Sequence, residues 1–182
     1  MSSDPAPPAS APSPDAFRAV YRDEFGYVWA SLQRLGVRGP ELQDLAHDVF
    51  VTAFKRWATY DALRPVRPWL FGITYRVVLD FRRKFQNHRE VVSEAVEVPD
   101  PVMNAEERVA TRQARDLALK VIDTMDLDQK AVFVMHEIEG YGMPQIAELV
   151  GAPLNTAYSR LRLARRHFDK AVQGLQAQER RS

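Results

Sequence analysis

Residues 141–168 read YGMPQIAELVGAPLNTAYSRLRLARRHF, and this stretch decides the fold of the second half of the chain. Pro144 suits the first turn of a short helix, because the amide hydrogen that it lacks would have no partner there. Gly151 tolerates the left-handed backbone that is common at a helix end. Asn155 or Thr156 is then placed to cap a second helix. The pattern predicts two helices joined by a tight turn.

The second of these helices has an apolar side and a basic side. Its apolar residues recur at helical spacing and are expected to face inward: Ala157, Leu161, Ala164 and Phe168. The side chains left pointing outward are Tyr158, Ser159, Arg162, Arg165 and Arg166. A capped helix of this kind, held by a shorter one, can enter the major groove of DNA. In an ordinary helical hairpin the arginines would only be solvated, but turn, caps and charge together favour DNA contact.

Charge is distributed unevenly along the 182 residues, although the net charge is only +1. Residues 154–171 hold five basic side chains and one acid, whereas residues 90–107 hold six acids and no base. Such asymmetry is typical of separate partner surfaces, and solvated loops produce it too. The net charge is smaller than expected of a protein that holds DNA unaided.

The chain contains no cysteine, which excludes disulfides, thiolate zinc sites and catalytic thiols. No apolar stretch approaches the length of a membrane span, and the first residues lack the basic-then-apolar pattern of a signal peptide. We therefore expect a cytosolic protein with no membrane contact of its own.

Helical periodicity without sustained strand alternation predicts an all-α protein with two small helical domains. The predicted segments are a disordered Pro/Ala/Ser-rich tail at 1–14, a first domain at 15–85, a flexible acidic linker at 86–104, a second domain at 105–172 and a polar tail at 173–182. At about 3.3 Å per residue the linker can reach roughly 60 Å. That reach is enough to separate two bound domains widely.

Three helices are predicted in the first domain, with a loop at 58–67 before the third. Their apolar stripes are Phe17, Val20, Tyr21, Phe25, Val28, Trp29 and Leu32; Leu42, Leu45, Ala46, Val49, Phe50, Ala53, Phe54 and Trp57; and Leu70, Ile73, Val77 and Phe81. In the second domain, helices are predicted from about residue 105 to Met125 and from Asp128 to Glu139, before the pair described above.

The first domain carries three motifs. Residues 44–57, DLAHDVFVTAFKRW, open with carboxylates that complement the positive end of a helix. Residues 67–84, RPWLFGITYRVVLDFRRK, place Arg76, Asp80 and Arg83 on one polar face. The loop before them carries Tyr60, Arg64 and Arg67, and an aromatic ring flanked by arginines can stack on and clamp an unpaired base. Taken singly, each motif also fits an ordinary helix surface or loop.

Taken together and in this order, the motifs from about Phe17 to Phe168 resemble those of bacterial RNA polymerase sigma factors of the extracytoplasmic-function (ECF) class. The resemblance implies a protein that is not an enzyme but binds core RNA polymerase, directs it to promoters and promotes DNA melting. The implied partners are core polymerase, through the clamp helices of its largest subunit and its flap region, promoter DNA and an anti-sigma factor. The segment resembling the clamp-helix contact supplies the polymerase-binding candidates Asp44, Leu45, His47, Asp48 and Phe50.

The other two motifs resemble the DNA-reading parts of these sigma factors. Residues 67–84 resemble the helix that reads the −10 element, and the loop before them resembles the one that captures a flipped base. The −10 candidates are Tyr60, Arg64, Arg67, Arg76, Asp80 and Arg83. Residues 141–165 resemble the helix-turn-helix that reads the −35 element. The −35 candidates are Asn155, Thr156, Tyr158, Ser159, Arg160, Arg162, Arg165 and Arg166.

Three positions depart from the family pattern. His47 stands where members often carry glutamine, and Arg76 where many carry asparagine. The usual Gly-Thr-Val start of the recognition helix is here Asn155-Thr156-Ala157. Promoter sequence is therefore not carried over. The acidic linker is expected either to occupy a positively charged polymerase channel or to act as a solvated tether.

Two other classes of function remain open. A free-standing helix-turn-helix regulator explains residues 141–168 but leaves the first domain without a role. A metal-dependent enzyme would use Glu41, Asp44, His47 and Asp48, whose spacing gathers them on one helix face. No second ligand cluster or phosphate-cradling glycine loop accompanies them, and we predict neither a metal nor another cofactor.

Overall fold

A computed structural model describes residues 13–85 and 119–179 of the chain. Within these ranges the structure is built from helices and contains no strand, as predicted. The elements are α1 (Pro14–Arg34), α2 (Glu41–Lys55), a 3₁₀ turn (Trp57–Thr59), α3 (Val66–Phe85), α4 (119–123), α5 (Leu127–Phe133), a π-helix (Val134–Ile138), α6 (Met143–Val150) and α7 (Leu154–Glu179). The acidic linker predicted at 86–104 and the first 12 residues lie outside the described parts.

Both ends of the described chain are more helical than the sequence indicated. Ser13 caps α1, because its hydroxyl accepts a hydrogen bond from the amide of Ala16 at 3.2 Å. Pro14 occupies the first turn, where the missing amide hydrogen has no helical partner. Helix α1 therefore begins inside the predicted tail 1–14. At the other end, α7 continues to Glu179, past the domain boundary predicted at residue 172.

The three long helices of the first domain pack against one another around a shared apolar core. Val28, Leu32, Val49 and Phe71 are fully shielded from solvent. The inward orientation predicted for Tyr21 and Phe54 is wrong, because both side chains are exposed, Phe54 by 56%. Phe54 lies at the edge of the α2 stripe, where the rotation of the helix already directs the side chain toward solvent.

The loop between α2 and α3 is shorter than predicted. The 3₁₀ turn Trp57–Thr59 takes up its start, and α3 begins at Val66, so the irregular part covers residues 60–65. Arg67, expected in the loop, lies in the first turn of α3. Pro68 is compatible with this early start, because the amides of the first helical turn make no bonds within the helix.

The second domain contains the helix predicted from Asp128 to Glu139, in two parts. Asp126 caps α5 by accepting the amide of Gln129 at 2.8 Å. The same run continues as the π-helix Val134–Ile138, which the sequence did not indicate. Of the helix predicted from about residue 105 to Met125, residues 119–125 fall within the described part. Residues 119–123 are helical, and the helix ends two residues before the predicted Met125.

The two helices of the opening sequence stretch are present. Gly151 ends α6 in the left-handed conformation with φ +65°, as expected of a glycine at that position. The prediction that Asn155 or Thr156 caps α7 is wrong, because the helix already begins at Leu154 and both residues lie in its first turn. Their place is taken by Pro153, whose carbonyl accepts the amide of Ala157 at 3.0 Å.

Replacing Gly151 with alanine is expected to lower the free energy of unfolding by about 1 kcal/mol, because only the positive φ opposes a side chain there. A Cβ added to Gly151 meets no atom within 4 Å, so steric overlap does not contribute. Gly26→Ala is the matched control, since Gly26 lies inside α1 with equally open space and no positive φ. Chemical denaturation should show this variant to be more stable by about 0.5–1 kcal/mol. Equal effects of the two substitutions would contradict the assigned role of Gly151.

The two domains also pack against each other, which the sequence did not indicate. One cluster of buried side chains includes Leu70 and Ile73 of α3 together with Ile146 and Val150 of α6.

Among the described residues, no helix combines the length and the apolar character needed to cross a membrane.

Candidate functional site

The outer face of α7 presents polar and basic side chains to solvent. Tyr158, Ser159, Arg162 and Arg166 are exposed, while Ala157, Leu161 and Ala164 are buried beneath them. Within the described residues, neither Arg162 nor Arg166 pairs with a carboxylate. The orientation predicted from the helical spacing is therefore confirmed, and two arginines are available for an anionic partner.

Two other arginines of α7 are held by carboxylates of their own domain. Arg165 Nη2 lies 2.6 Å from Glu137 Oε1, at the edge of the same face. Arg160 is partly buried and donates from Nη2 to Asp128 Oδ2. The four candidate arginines of α7 therefore fall into two kinds. Arg160 and Arg165 are paired with carboxylates, whereas Arg162 and Arg166 are not.

The start of α7 adds a further exposed surface. Asn155 and Thr156 are exposed in the first turn, next to an exposed Leu154. The carbonyl of Asn155 accepts a hydrogen bond from the hydroxyl of Ser159 at 3.0 Å, so this hydroxyl is turned back onto the helix. A helix that presents its N-terminal turns in this way suits the major groove of DNA.

The candidate face of α3 is exposed as predicted. Arg76, Asp80 and Arg83 lie on one side of the helix, and Arg83 Nη1 is 3.9 Å from Asp80 Oδ1. Both side chains of this pair are 69% exposed, so the pair contributes little to stability. A ligand can therefore break the Arg83–Asp80 pair and bind its charged groups with little loss of protein stability.

Tyr60 lies in a ring cluster rather than free in the loop. Its ring stacks on Trp57 with centroids 5.1 Å apart and approaches Trp69 at 4.8 Å. Its hydroxyl donates to the carbonyl of Arg64. Burial raises the pKa of Tyr60, and the nearby Asp61 carboxylate adds to the increase. The loop at 60–65 is thus fixed to the domain at its first residue.

Leu63, which the sequence reading did not include, stands at the tip of this loop. Its amide donates to Asp61 Oδ1 at 3.0 Å, and its side chain is 95% exposed. A single exposed apolar side chain is common on protein surfaces, so it is the place of Leu63 at the tip of a braced loop beside the face of α3 that makes it a candidate contact residue. In the sequence, the only indication of this residue is a single large apolar side chain within the predicted loop, in the run Asp61-Ala62-Leu63-Arg64-Pro65.

Arg67 is directed toward α1. Its Nε lies 2.8 Å from Glu24 Oε2, and its guanidinium carbon lies 5.1 Å from the centre of the Tyr27 ring. The hydrogen bond that Arg67 donates to the Glu24 carboxylate raises the pKa of Arg67. Arg67 is thus engaged within the protein, whereas Arg64 stays exposed and pairs only loosely with Asp61, at 3.4 Å.

The candidate polymerase-binding residues of α2 separate into two groups. Asp44, His47 and Asp48 are exposed on one face, whereas Leu45 and Phe50 are buried and hold the helix on its neighbours. Phe54 lies seven residues after His47 and so shares its face, which the sequence reading missed. Within 13–85 and 119–179, no group of side chains is arranged to hold a metal ion, including the acidic start of α2.

Two family models match this chain, in the order of its two domains. The model described as Sigma-70 region 2 matches residues 20–89, and that described as Sigma-70, region 4 matches residues 115–168. Together they span more than half of the chain. The chain belongs to the sigma-70 family, in its ECF class. As a sigma factor it directs RNA polymerase to promoters, and its region 4 contains the helix-turn-helix formed by α6 and α7.

Named relatives and solved structures agree with this assignment. The sigma factor is 25% identical over 168 residues to the ECF RNA polymerase sigma factor SigL of Mycobacterium tuberculosis. The aligned residues cover 92% of this chain and 94% of SigL. It is 25% identical over 146 residues to the RNA polymerase sigma factor NccH of Alcaligenes xylosoxydans, with 78% of each chain covered.

Among solved structures, CnrH in complex with the cytosolic domain of CnrY superposes with a TM-score of 0.61 at 20% identity, over 89% of this chain and 90% of CnrH. The sigma factor RpoE in complex with the anti-sigma factor NepR, from Bartonella quintana, gives a TM-score of 0.64 at 18% identity, over 86% of this chain and 96% of RpoE. These likenesses confirm the all-helical fold.

Proposed function

We propose that the sigma factor divides promoter recognition among three surfaces. The outer face of α7 reads the −35 element, the exposed face of α3 and the loop 60–65 bind and open the −10 element, and the exposed face of α2 docks on core polymerase. The observation that carries this proposal is the face of α7, where unpaired arginines and polar side chains stand on a rigid helix. Core polymerase supplies much of the nonspecific phosphate attraction, in keeping with the net charge of only +1.

At the −35 element, the unpaired arginines bind DNA directly. Arg162 and Arg166 are exposed and carry fixed charge, so they suit phosphates or guanine edges. Arg160 and Arg165 are oriented by their carboxylates. An oriented guanidinium loses less freedom when it binds, but its partner competes with the DNA for the same donors.

At the −10 element, the loop 60–65 acts on the separated strands. Opening the duplex costs a few kcal/mol per base taken out of the stack, so a binding surface must offset that cost. Tyr60, braced by two tryptophans, forms the wall of such a surface. Leu63 at the tip acts as an apolar wedge between base steps, a role that large aliphatic side chains take in DNA-bending proteins.

On α2, Phe54 serves as an apolar anchor next to the polar group formed by Asp44, His47 and Asp48. An exposed aromatic side chain within a polar rim is the arrangement that concentrates binding energy in protein interfaces. The buried Leu45 and Phe50 position this face and make no contact with the partner.

Phe54→Ala is expected to weaken binding to core polymerase by about 1–2 kcal/mol, roughly 5- to 30-fold in Kd. The free energy of unfolding should also fall, because the ring packs edge-to-face on Phe17 with centroids 5.1 Å apart, so affinity is measured under conditions in which the variant is fully folded. Lys55→Ala, on the same helix and also exposed, is the matched control. The measurement is fluorescence titration of labelled sigma factor with core enzyme. Equal affinity of the Phe54 variant and the wild type would remove α2 from the proposed interface.

The remaining partners follow from the family. We propose that an anti-sigma factor regulates this chain, since RpoE of Bartonella quintana is found with the anti-sigma factor NepR. We also propose that the protein acts in the cytoplasm, where core polymerase and promoters are, and that it has no catalytic activity of its own. Co-purification with core polymerase separates this function from that of a free-standing helix-turn-helix regulator.

A further inference from the structure

The ring cluster of Trp57, Tyr60 and Trp69 lies next to the first described residue of the chain. Trp57 Nε1 donates a hydrogen bond to the carbonyl oxygen of Ser13 at 3.3 Å. Between centroids, the ring of Trp57 lies 5.1 Å from that of Tyr60 and 6.0 Å from that of Trp69. Trp57 is buried, whereas Tyr60 and Trp69 are partly exposed. The cluster therefore offers aromatic surface beside the point at which the preceding residues join α1.

The backbone of Ser13 has the dihedral angles of a polyproline II helix. Its φ of −63° and ψ of 157° lie close to the values of about −75° and +145° that are typical of this helix. Proline-rich ligands bind aromatic-lined grooves in this conformation, because a helix without internal hydrogen bonds leaves its carbonyl groups free for donors beside the rings. The bond from the Trp57 indole to the Ser13 carbonyl is a contact of this kind.

The residues before Ser13 favour the same backbone conformation. Residues 1–12 read MSSDPAPPASAP, and we call them the proline-rich segment. Proline fixes φ near −65° and also disfavours the helical region for the residue before it, which here applies to residues 4, 6, 7, 11 and 13. Pro5 and Pro8 are three residues apart, which is one turn of a polyproline II helix, so they share one edge. A segment restricted in this way loses little further conformational entropy when it binds.

Length and charge also match the proline-rich segment to the ring cluster. Twelve residues in polyproline II conformation extend about 37 Å, at about 3.1 Å per residue. That reach exceeds the cluster, whose centroids are at most 6.0 Å apart. Asp4 is the only charged side chain of the segment, so binding depends on ring contacts rather than ion pairs. Because the loop 60–65 begins at Tyr60, a segment on the Tyr60 ring lies beside the surface that we assign to the −10 strand.

We propose that the proline-rich segment docks on Tyr60 and Trp69 and competes with the unpaired −10 strand for this surface. The inference rests on the proposed function, which assigns Tyr60 and the loop 60–65 to that strand. A strand that stacks on Tyr60 must first displace the segment, so the segment lowers the affinity of the sigma factor for single-stranded DNA. Because segment and rings belong to one chain, the competition does not depend on protein concentration.

The indole groups of the chain report on docking directly. The proline variant, of full length, carries the substitutions Pro5→Ser, Pro7→Ser and Pro8→Ser, which weaken the polyproline II preference and precede every described helix. In ¹H–¹⁵N spectra of the free protein, it should shift the indole resonance of Trp69 at low and at high salt. The resonance of Trp29, which packs on Phe25 of α1 instead, should not move. An unchanged Trp69 resonance would overturn the proposal.

A matched variant of the same segment controls for composition. The alanine variant carries Ala6→Ser, Ala9→Ser and Ala11→Ser, so it gains the same number of serines and keeps every proline. Its Trp69 resonance should stay at the wild-type position. A shift as large as that of the proline variant would show that the rings respond to added serines rather than to lost prolines, and would overturn the proposal.

Competition is measured with the holoenzyme and a labelled oligonucleotide that carries the −10 strand of a promoter mapped by run-off transcription. By fluorescence anisotropy, the proline variant should bind this strand about threefold or more tightly than the wild type, and the alanine variant should bind like the wild type. Equal affinity of the proline variant and the wild type would overturn the competition. The proposed function fails in a different way, because then no form of the protein would prefer this strand to an unrelated oligonucleotide, while the Trp69 shift would remain.

Discussion

Replacing Leu63 with alanine is expected to slow promoter opening at least tenfold while leaving the protein folded. The side chain is 95% exposed, so its loss removes almost no buried surface from the free sigma factor. In the open complex, however, we place it between base steps, where an apolar wedge offsets part of the few kcal/mol needed to unstack them. Permanganate reactivity of unpaired thymines, followed over time with the holoenzyme, measures this rate.

A pre-opened template separates opening from binding. On a promoter with an unpaired bubble over the −10 element, the Leu63 variant should transcribe like the wild type, because no wedge is then required. Leu163→Ala is a control for leucine truncation outside the loop; its side chain is 37% exposed, so its folding is checked alongside. A variant that opens duplex promoters at the wild-type rate would exclude the wedge, and a defect that persists on the bubble template would assign Leu63 to another step.

Arg162→Ala is expected to weaken promoter binding by the holoenzyme by about 1–3 kcal/mol, roughly 5- to 150-fold in Kd. Arg162 is exposed, and no carboxylate of the described residues competes for it, so its full charge is available to DNA. Arg165→Ala should have a smaller effect, because Glu137 lies 2.6 Å from its guanidinium and must be displaced first. Filter binding or footprinting at several salt concentrations compares the two variants.

The salt dependence distinguishes the two kinds of contact. If Arg162 binds a phosphate, its loss should reduce the salt slope by about one unit and weaken all promoters alike. If it reads a guanine edge, its loss should relax preference at a single position. Lys170→Ala, two turns further along α7, serves as control. Equal effects of Arg162 and Lys170 would contradict the assigned face of α7.

The sequence was sufficient for most of the helical architecture, because the relevant signals are local. Pro144 and Gly151 indicated the limits of α6, and the spacing from Ala157 to Leu161 indicated which side of α7 is buried. The start of α7 was predicted too late in the chain. Asn155 and Thr156 are favoured at capping positions but also occur in the first helical turn, where the structure has them. Phe54 was assigned to the core because it borders the apolar stripe, and only the packing shows that it lies on the solvent side of the buried Ala53 and Trp57.

The sequence could not reveal relations between residues far apart in the chain. Arg160 and Arg165 pair with carboxylates 32 and 28 residues away, and no local pattern indicates such a partner. Gly72 reads as a tolerated glycine in a helical pattern until Leu149 is placed against it. The packing of the two domains against each other could not be predicted for the same reason. A linker long enough to let the domains separate does not indicate whether they also pack together.

Run-off transcription on a pool of genomic fragments, with core polymerase in the presence and absence of the sigma factor, tests the central claim most directly. The account predicts that only the complete mixture yields discrete transcripts, that their start sites share two upstream elements, and that Arg162→Ala and Leu63→Ala each reduce them. Transcripts that are the same with and without this chain would contradict the account.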